Sequence, residues 1–354
     1  MTAPADTRAA QADTLVAHAD TWPAHADSRK PTRDSHKPTI FSPGPCNTRS
    51  MSYTARLLLA LLPPLLLAAC ATTAAPPLAD TGPGQRAWAA ACGDNDSWDK
   101  PGPPFRVYGQ TYYVGTCGIA ALLVTGPRGH TLIDSGTDKG AEVVLANIRA
   151  LGFDPADVDT ILMSHEHFDH VGGMARLQAA TGATIVTTAP AASVLRSGKP
   201  GADDPQAASG HPPFPPLTGS ISTLASEAEQ RFGGRTFRPI FTPGHTPGAM
   251  SWSWRECEGG VCKAIVYADS LNPISADGYR FSDHPALVAA FRAGIAQVAA
   301  ADCDIVLTPH PVSTNLRARL LGTAPLIAAD GCRAYAAGVT ERLDKRLATE
   351  ARGG

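Results

Sequence analysis

The sequence predicts an α/β protein built as a four-layer αββα sandwich, two β-sheets face to face with helices covering each outer side. Three observations predict it. Short β-prone runs fall into two groups along the chain, helical stretches lie between the groups and at the end, and histidines gather just beyond strand-like runs. Packing gives a strand little reason to end in a polar cluster, because burying unpaired polar groups is costly.

The sandwich does not take in all 354 residues. Residues 1–50 are rich in Ala, Asp, Thr and His, with loose Ala-Asp-Thr repeats and few large apolar side chains, and they read as a disordered or non-functional upstream extension. Met51 opens a second pattern: Arg56, then an apolar run from Leu57 to Ala69 broken by Pro63-Pro64, closing in Leu67-Ala68-Ala69-Cys70. The run is too short to span a bilayer and suits the apolar region of a signal peptide over 51–70, which predicts export to the periplasm. Its end is open between a lipobox, with Cys70 carrying a lipid anchor, and ordinary cleavage nearby, since small residues continue through Ala75. A signal starting at Met51 also implies a true start codon there.

Of the eight cysteines, Cys46 and Cys70 fall in these leading segments. The other six, an even number in an oxidising compartment, read as disulfides; six cysteines allow 15 pairings. Cys257 and Cys262 flank Glu258-Gly259-Gly260-Val261, a turn they can staple, which leaves Cys92–Cys117 and Cys303–Cys332 as the natural remaining pairs. None shows the CxxC spacing of a zinc-binding pair. The formal charge of −2 and the absence of a Lys/Arg-rich run exclude a nucleic-acid footprint. No large apolar surface run argues for an obligate partner, so a monomer is expected.

Residues 71–104, rich in Pro, Gly and Ala, read as an irregular segment wrapping the surface, and the folded domain as 105–354. Val107-Tyr108, Tyr112–Val114 and Ile119–Val124 are β-prone, Gly126–Gly129 is a turn, and Thr131–Asp134 resumes the strand pattern. Val143, Val144, Ile148 and Leu151 share one face of a helix over 141–151. A strand at Thr160–Met163, a helix at about 173–181 and a strand at Thr184–Thr187 follow. Residues 198–222 read as a long loop, a length that in compact domains often carries function. Strands at 238–242 and 249–254 surround a Pro-Gly-His-Thr-Pro-Gly turn, with another at 263–268. Helices at about 285–300 and from 323 onward bracket a last strand, Ile305–Leu307.

The chemistry concentrates at His165-Glu166-His167-Phe168-Asp169-His170, directly after the strand Thr160–Met163. Imidazole and carboxylate are good zinc ligands. His245, in the Pro-Gly-His turn, and His310, in Leu307-Thr308-Pro309-His310, also lie just past strands. Together these give six candidate ligands, enough for two sites of three, each with the open position that a catalytic zinc needs. His130, His211 and His284 read as surface or capping residues, with His284-Pro285 the rival to His310-Pro311. Glu166 alternates away from His165 and His167, toward solvent or a loop partner.

The order Asp134, His-x-His-x-Asp-His, Thr-Pro-Gly-His-Thr-Pro-Gly, Tyr-Ala-Asp-Ser and Thr-Pro-His-Pro resembles the metallo-β-lactamase superfamily, and within it the third subclass (B3) of zinc β-lactamases. The likeness runs from about Arg106 to the C-terminal helix. It implies two zinc ions, the first held by His165, His167 and His245 and the second by Asp169, His170 and His310. It implies Asp134 as a residue behind the ligands and Asp169 as ligand and catalytic residue orienting the nucleophile. Ser270, where other subclasses carry a zinc-binding Cys, and Asn272 are implied substrate contacts, and Phe214 with Leu217 an apolar wall over the substrate. The implied substrate is a small-molecule β-lactam, opened by a water that two zinc ions bring close to ionisation at neutral pH. Lys-Thr-Gly and Gly-x-Ser-x-Gly, signals of acyl-enzyme serine routes, are absent. An exported zinc lactonase or thioester hydrolase on the same scaffold is the alternative. It is sharpened by Asp269, since in such relatives an aspartate in a similar motif bridges the metals.

Overall fold

A computed structural model describes residues 82–353, so the upstream extension, the signal segment and Cys70 lie outside the described residues. In chain order the elements are α1 (Pro83–Ala91), β1 (Phe105–Tyr108), β2 (Thr111–Tyr113), β3 (Leu122–Gly126), β4 (Gly129–Ile133), α2 (Asp138–Ala150) and β5 (Val158–Leu162). Next come α3 (Phe168–Val171), α4 (Met174–Thr181), β6 (Thr184–Thr187), α5 (Ala189–Ser197), β7 (Ile221–Thr223), β8 (Gln230–Phe232) and β9 (Arg235–Phe241). The chain ends with β10 (Met250–Glu258), β11 (Val261–Tyr267), α6 (Pro285–Ala300), β12 (Ile305–Leu307), α7 (Leu316–Leu320) and α8 (Gly331–Ala351).

The strands form a seven-stranded sheet in the order β1 to β7 and a five-stranded sheet in the order β12-β11-β10-β9-β8. Alternation along each strand sends successive side chains to opposite faces. In β3, Leu122 and Val124 enter the core between the sheets while Leu123 enters the core under the helices. Ile161 and Leu162 of β5 divide in the same way. The central core pairs Phe105, Tyr113 and Ile133 with Phe237, Trp252, Tyr267 and Ile305 of the other sheet. One outer core packs α2, α4 and α5 on the first sheet, and the other packs α6 and α8 on the second. Two sheets and two helical layers give the predicted sandwich.

The strands β4, β5, β6 and β7 run parallel, so their carboxyl ends open along one edge. On the second sheet, the turn between β9 and β10 faces the end of β5. Met250 donates its backbone N–H to the Ser164 carbonyl at 2.7 Å, and the Trp252 indole donates to the Met163 carbonyl at 2.9 Å. The disulfides are Cys92–Cys117, Cys257–Cys262 and Cys303–Cys332, as the spacing predicts.

Several elements differ from the sequence reading. The segment expected to wrap the surface contains α1, which starts on Pro83 and drives Trp88 into the central core at 1% exposure. One large ring outweighs the segment's weak periodicity, because burial free energy scales with apolar area. Before the long loop stands α5, capped by Thr188 and ended by Gly198 in the left-handed region. Pro190 in its first turn reads as a break in the sequence, which hid it. The C-terminal helix starts at Gly331 rather than near 323, after the separate short α7.

The end of α8 is fixed by Glu350, whose carboxylate accepts the N–H of Phe281 at 3.0 Å and of Ser282 at 2.7 Å and the Arg346 guanidinium at 2.6 Å. Burial alone would raise the Glu350 pKa, but these donors outweigh it and hold it below its ordinary 4.5. A depressed folded pKa means stability that is present above 4.5 and lost as pH falls through the folded value. The melting-temperature gap between wild type and Glu350→Gln should therefore be widest at neutral pH and close on acidification below pH 4.5; thermal melts across pH check this.

Candidate metal centre

The sheet edge described above collects all six predicted ligands. His165 and His167 follow β5, and Asp169 and His170 occupy the one-turn α3, with His167 at its N-cap. His245 comes from the β9–β10 turn and His310 from the segment after β12. Gly244 is required in that turn: its φ is +155°, and a Cβ there would collide with the Phe291 ring.

Two groups result. Donor atoms of His165, His167 and His245 lie within 4.8 Å of one another. In the second group, Asp169 Oδ2 is 3.1 Å from His170 Nε2 and 3.4 Å from His310 Nε2, and the two nitrogens are 3.2 Å apart. Ligands at zinc's bond length of ~2.0–2.1 Å in tetrahedral array stand about 3.3 Å apart, so this spacing fits one ion. A donor of His165 also lies within 4.8 Å of those of Asp169 and His170, which makes the groups neighbours.

Each ring of the first group is tied from behind, as metal-bound histidines usually are. His165 Nδ1 meets Asp269 Oδ1 at 2.7 Å, His167 Nε2 meets Asp204 Oδ2 at 3.1 Å, and His245 Nδ1 donates to the Asn272 carbonyl at 2.8 Å. The remaining nitrogen of His165, Nε2, is buried without a protein partner, an arrangement expected of an atom waiting for an ion. Burial lowers the pKa of His165, brings His245 to about 3 and His310 to about 4, so these rings are neutral ligands at pH 7. Burial also works against the Asp169 carboxylate, but His170, His310 and His167 outweigh it and keep the group ionised. Imidazoles with one carboxylate are the donor set of a zinc-type divalent ion.

Asp134 stands where the sequence expects it, behind the ligands. Its carboxylate accepts the Ser164 N–H and hydroxyl, both at 2.7 Å, and the Tyr267 hydroxyl at 2.8 Å, and lies 3.7 Å from His170 Nδ1. Its backbone is in the left-handed region at φ 62°, a strain the hydrogen bonds offset. Glu166 has the loop partner and not the solvent: it is buried, accepting the Thr246 hydroxyl at 2.6 Å and the Gly248 N–H at 2.8 Å. His284 is away from the ligands, stacked on Tyr279 at 4.6 Å, which settles the rivalry with His310 by position.

Ser270 is buried with an unpaired hydroxyl, and Asn272 is half-buried with its carbonyl on His245. Phe214 and Leu217 correct the sequence reading. They are not a wall over a substrate but sit in the outer core with Val194 and Leu195 of α5, where large apolar side chains gain most from burial. The rim carries different residues. His211, read as a surface residue, has its ring 6.0 Å from His167 and 5.2 Å from Phe168, and Trp98 lies 5.4 Å from Phe168 and 6.2 Å from His310. Asp204, in the long loop, gave no sequence signal beyond the loop's length.

Comparison with known proteins matches residues 114–258 to the model of the metallo-beta-lactamase superfamily. The structure is similar to that of the MIM-2 metallo-beta-lactamase, at 51% identity over 77% of this chain and 100% of that one, with a TM-score of 0.72. It is also similar to MIM-1 from Novosphingobium pentaromativorans, at 49% identity over 76% of this chain and 99% of that one, TM-score 0.72. Among curated proteins, the N-acyl homoserine lactonase AttM of Agrobacterium fabrum is 32% identical over 38% of this chain, which spans 58% of that relative.

Proposed function

Because the chain belongs to the metallo-beta-lactamase superfamily, we propose that it is a zinc-dependent β-lactamase of the B3 kind, opening the ring of penicillins, cephalosporins and carbapenems. The observation that carries this reading is the pair of adjacent three-donor groups, one of imidazoles alone and one containing Asp169. Two zinc ions held there would supply a nucleophile at neutral pH and Lewis-acid polarisation of the ring carbonyl.

The residues do the rest. His165, His167 and His245 hold the first ion, and Asp169, His170 and His310 the second. Asp169, ionised at working pH, orients the attacking water as a hydrogen-bond acceptor. The Ser270 hydroxyl, buried and unpaired, offers the substrate a hydrogen bond. Trp98, Phe168 and His211 give the site an aromatic rim that shields the reacting bond from bulk water. The signal-like segment 51–70 supports a further proposal: the enzyme works in the periplasm, with or without a lipid at Cys70, and confers resistance to these antibiotics.

The lactonase reading rests on Asp269 bridging two metals. One Asp269 oxygen, Oδ1, lies on His165 Nδ1, at the ring edge away from the unpaired Nε2, while Oδ2 is buried without a protein partner. A hydrolysis panel of penicillins, cephalosporins, carbapenems, aztreonam and an acyl-homoserine lactone, with and without chelator, tests the proposal. Chelator-sensitive opening of a carbapenem or cephalosporin is expected. Turnover of the lactone alone, or of nothing with metal bound, would overturn it.

A further inference from the structure

The turn Asp269–Asn272 backs two of the three rings in the first donor group, His165 through the Asp269 carboxylate and His245 through the Asn272 carbonyl. It is a forced turn. Leu271 sits at φ 44°, a left-handed conformation that strains an ordinary L-residue. Something has to hold it, and the holding group comes from 65 residues further along the chain. The Tyr335 hydroxyl, on α8, lies 2.6 Å from the Asp269 carbonyl oxygen and 2.7 Å from that of Ser270. These two carbonyls are bonded to the helix, while the Asp269 side chain and the Asn272 carbonyl are bonded to the histidine rings.

Tyr335 is itself well fixed. It is buried among Cys332, Ala336 and Val339, and the Cys303–Cys332 disulfide ties the first turn of α8 to the residues leading into β12. Burial, with Asp269 nearby, raises the phenol pKa well above its ordinary value, so the group remains a hydrogen-bond donor at any working pH.

We propose that Tyr335 is a positioning residue for the metal centre: its hydroxyl holds the Asp269–Asn272 turn in the geometry that aims His165 and His245 at one ion. The inference rests on the metal reading given above, and it adds a residue that touches neither metal nor substrate. Partners that orient a ligating histidine change metal affinity by about 10- to 100-fold when lost, and Tyr335 acts one step behind two of them.

Tyr335→Phe removes only the hydroxyl. Zinc affinity measured by competition with a chromophoric chelator should weaken by about 10-fold, the lower end of that range, for one of the ions. The visible absorption of the cobalt-substituted protein should shift, because ligand angles at that ion change. Tyr108→Phe is the control, since it loses a hydroxyl bonded to the Val261 carbonyl at 2.9 Å in the distant β10–β11 hairpin, and its zinc affinity and cobalt spectrum should equal wild type. Wild-type affinity and spectrum in Tyr335→Phe overturn the proposal alone, as does equal weakening in the Tyr108 control. No metal binding by the wild type overturns the metal reading as well. If a thermal melt shows Tyr335→Phe unfolded, p-aminophenylalanine at position 335, which keeps a weaker donor, takes its place with the same expected direction and the same overturning result.

Discussion

His245→Ala is expected to cost this protein most of its activity while leaving the fold intact. A four-ligand zinc site is worth about 10–16 kcal/mol at neutral pH, so one ligand accounts for roughly 3 kcal/mol, a loss on the order of 100-fold in affinity. The ring comes from a turn whose backbone is independently fixed, by Gly244 against Phe291 and by Glu166 on Thr246 and Gly248. Removing the ring therefore empties one ligand position without releasing the loop. Chelator competition and β-lactam hydrolysis at limiting and at excess zinc measure the effect, with partial recovery expected at high zinc. His284→Ala should change neither, since that ring stacks on Tyr279 at the start of α6. Equal losses in the two variants would remove His245 from the centre.

The second large effect is on stability. Glu166→Ala should lower the melting temperature by roughly 5–15 °C. The carboxylate joins the end of β5 to the β9–β10 turn, accepting one hydroxyl and one N–H that are both buried. Each buried donor left unsatisfied costs about 1–3 kcal/mol. For a domain of this size each kcal/mol moves the midpoint by roughly 2–4 °C. Burial raises the Glu166 pKa, while the Thr246 and Gly248 donors oppose the shift. Glu166→Gln keeps one acceptor and turns an N–H toward the other donor, so it should fall between wild type and Ala. A Glu166→Ala melt within 1 °C of wild type would remove the carboxylate as a strap between the two sheets.

The donor cluster was legible in the sequence because strand ends and local spacing encode it: three rings and a carboxylate within six residues, then two more histidines after strands. Asp134 was legible for the same reason. The layers followed from alternation, which Leu122, Leu123 and Val124 display directly. What could not be read were pairings across the chain. Glu166 meets residues 80 and 82 positions away, and Asp204 meets His167 across 37, neither marked by any local pattern. The long loop was marked out by its length, but its side chains sit the other way round from the reading. Phe214 followed the usual preference of a large ring for a core, and the polar His211 was left at the rim. Trp98 reached the rim because α1, unseen in a Pro/Gly-rich segment, anchors that stretch beside the sheets.

Each donor group draws on both sheets: His165 and His167 with His245, and Asp169 and His170 with His310. Neither group exists in a half-formed chain, because its members, residues 165 to 245 in one and 169 to 310 in the other, meet only when the two sheets close on each other. A metal bound there would load late, after the core has set. The ion that enters is decided by supply where folding finishes, since histidine and carboxylate sites rank divalent metals by intrinsic affinity and not by need. A chain that folds beyond the inner membrane would escape the metal buffering of the cytoplasm, and its identity as a zinc protein would be inherited from its address as much as from its ligands.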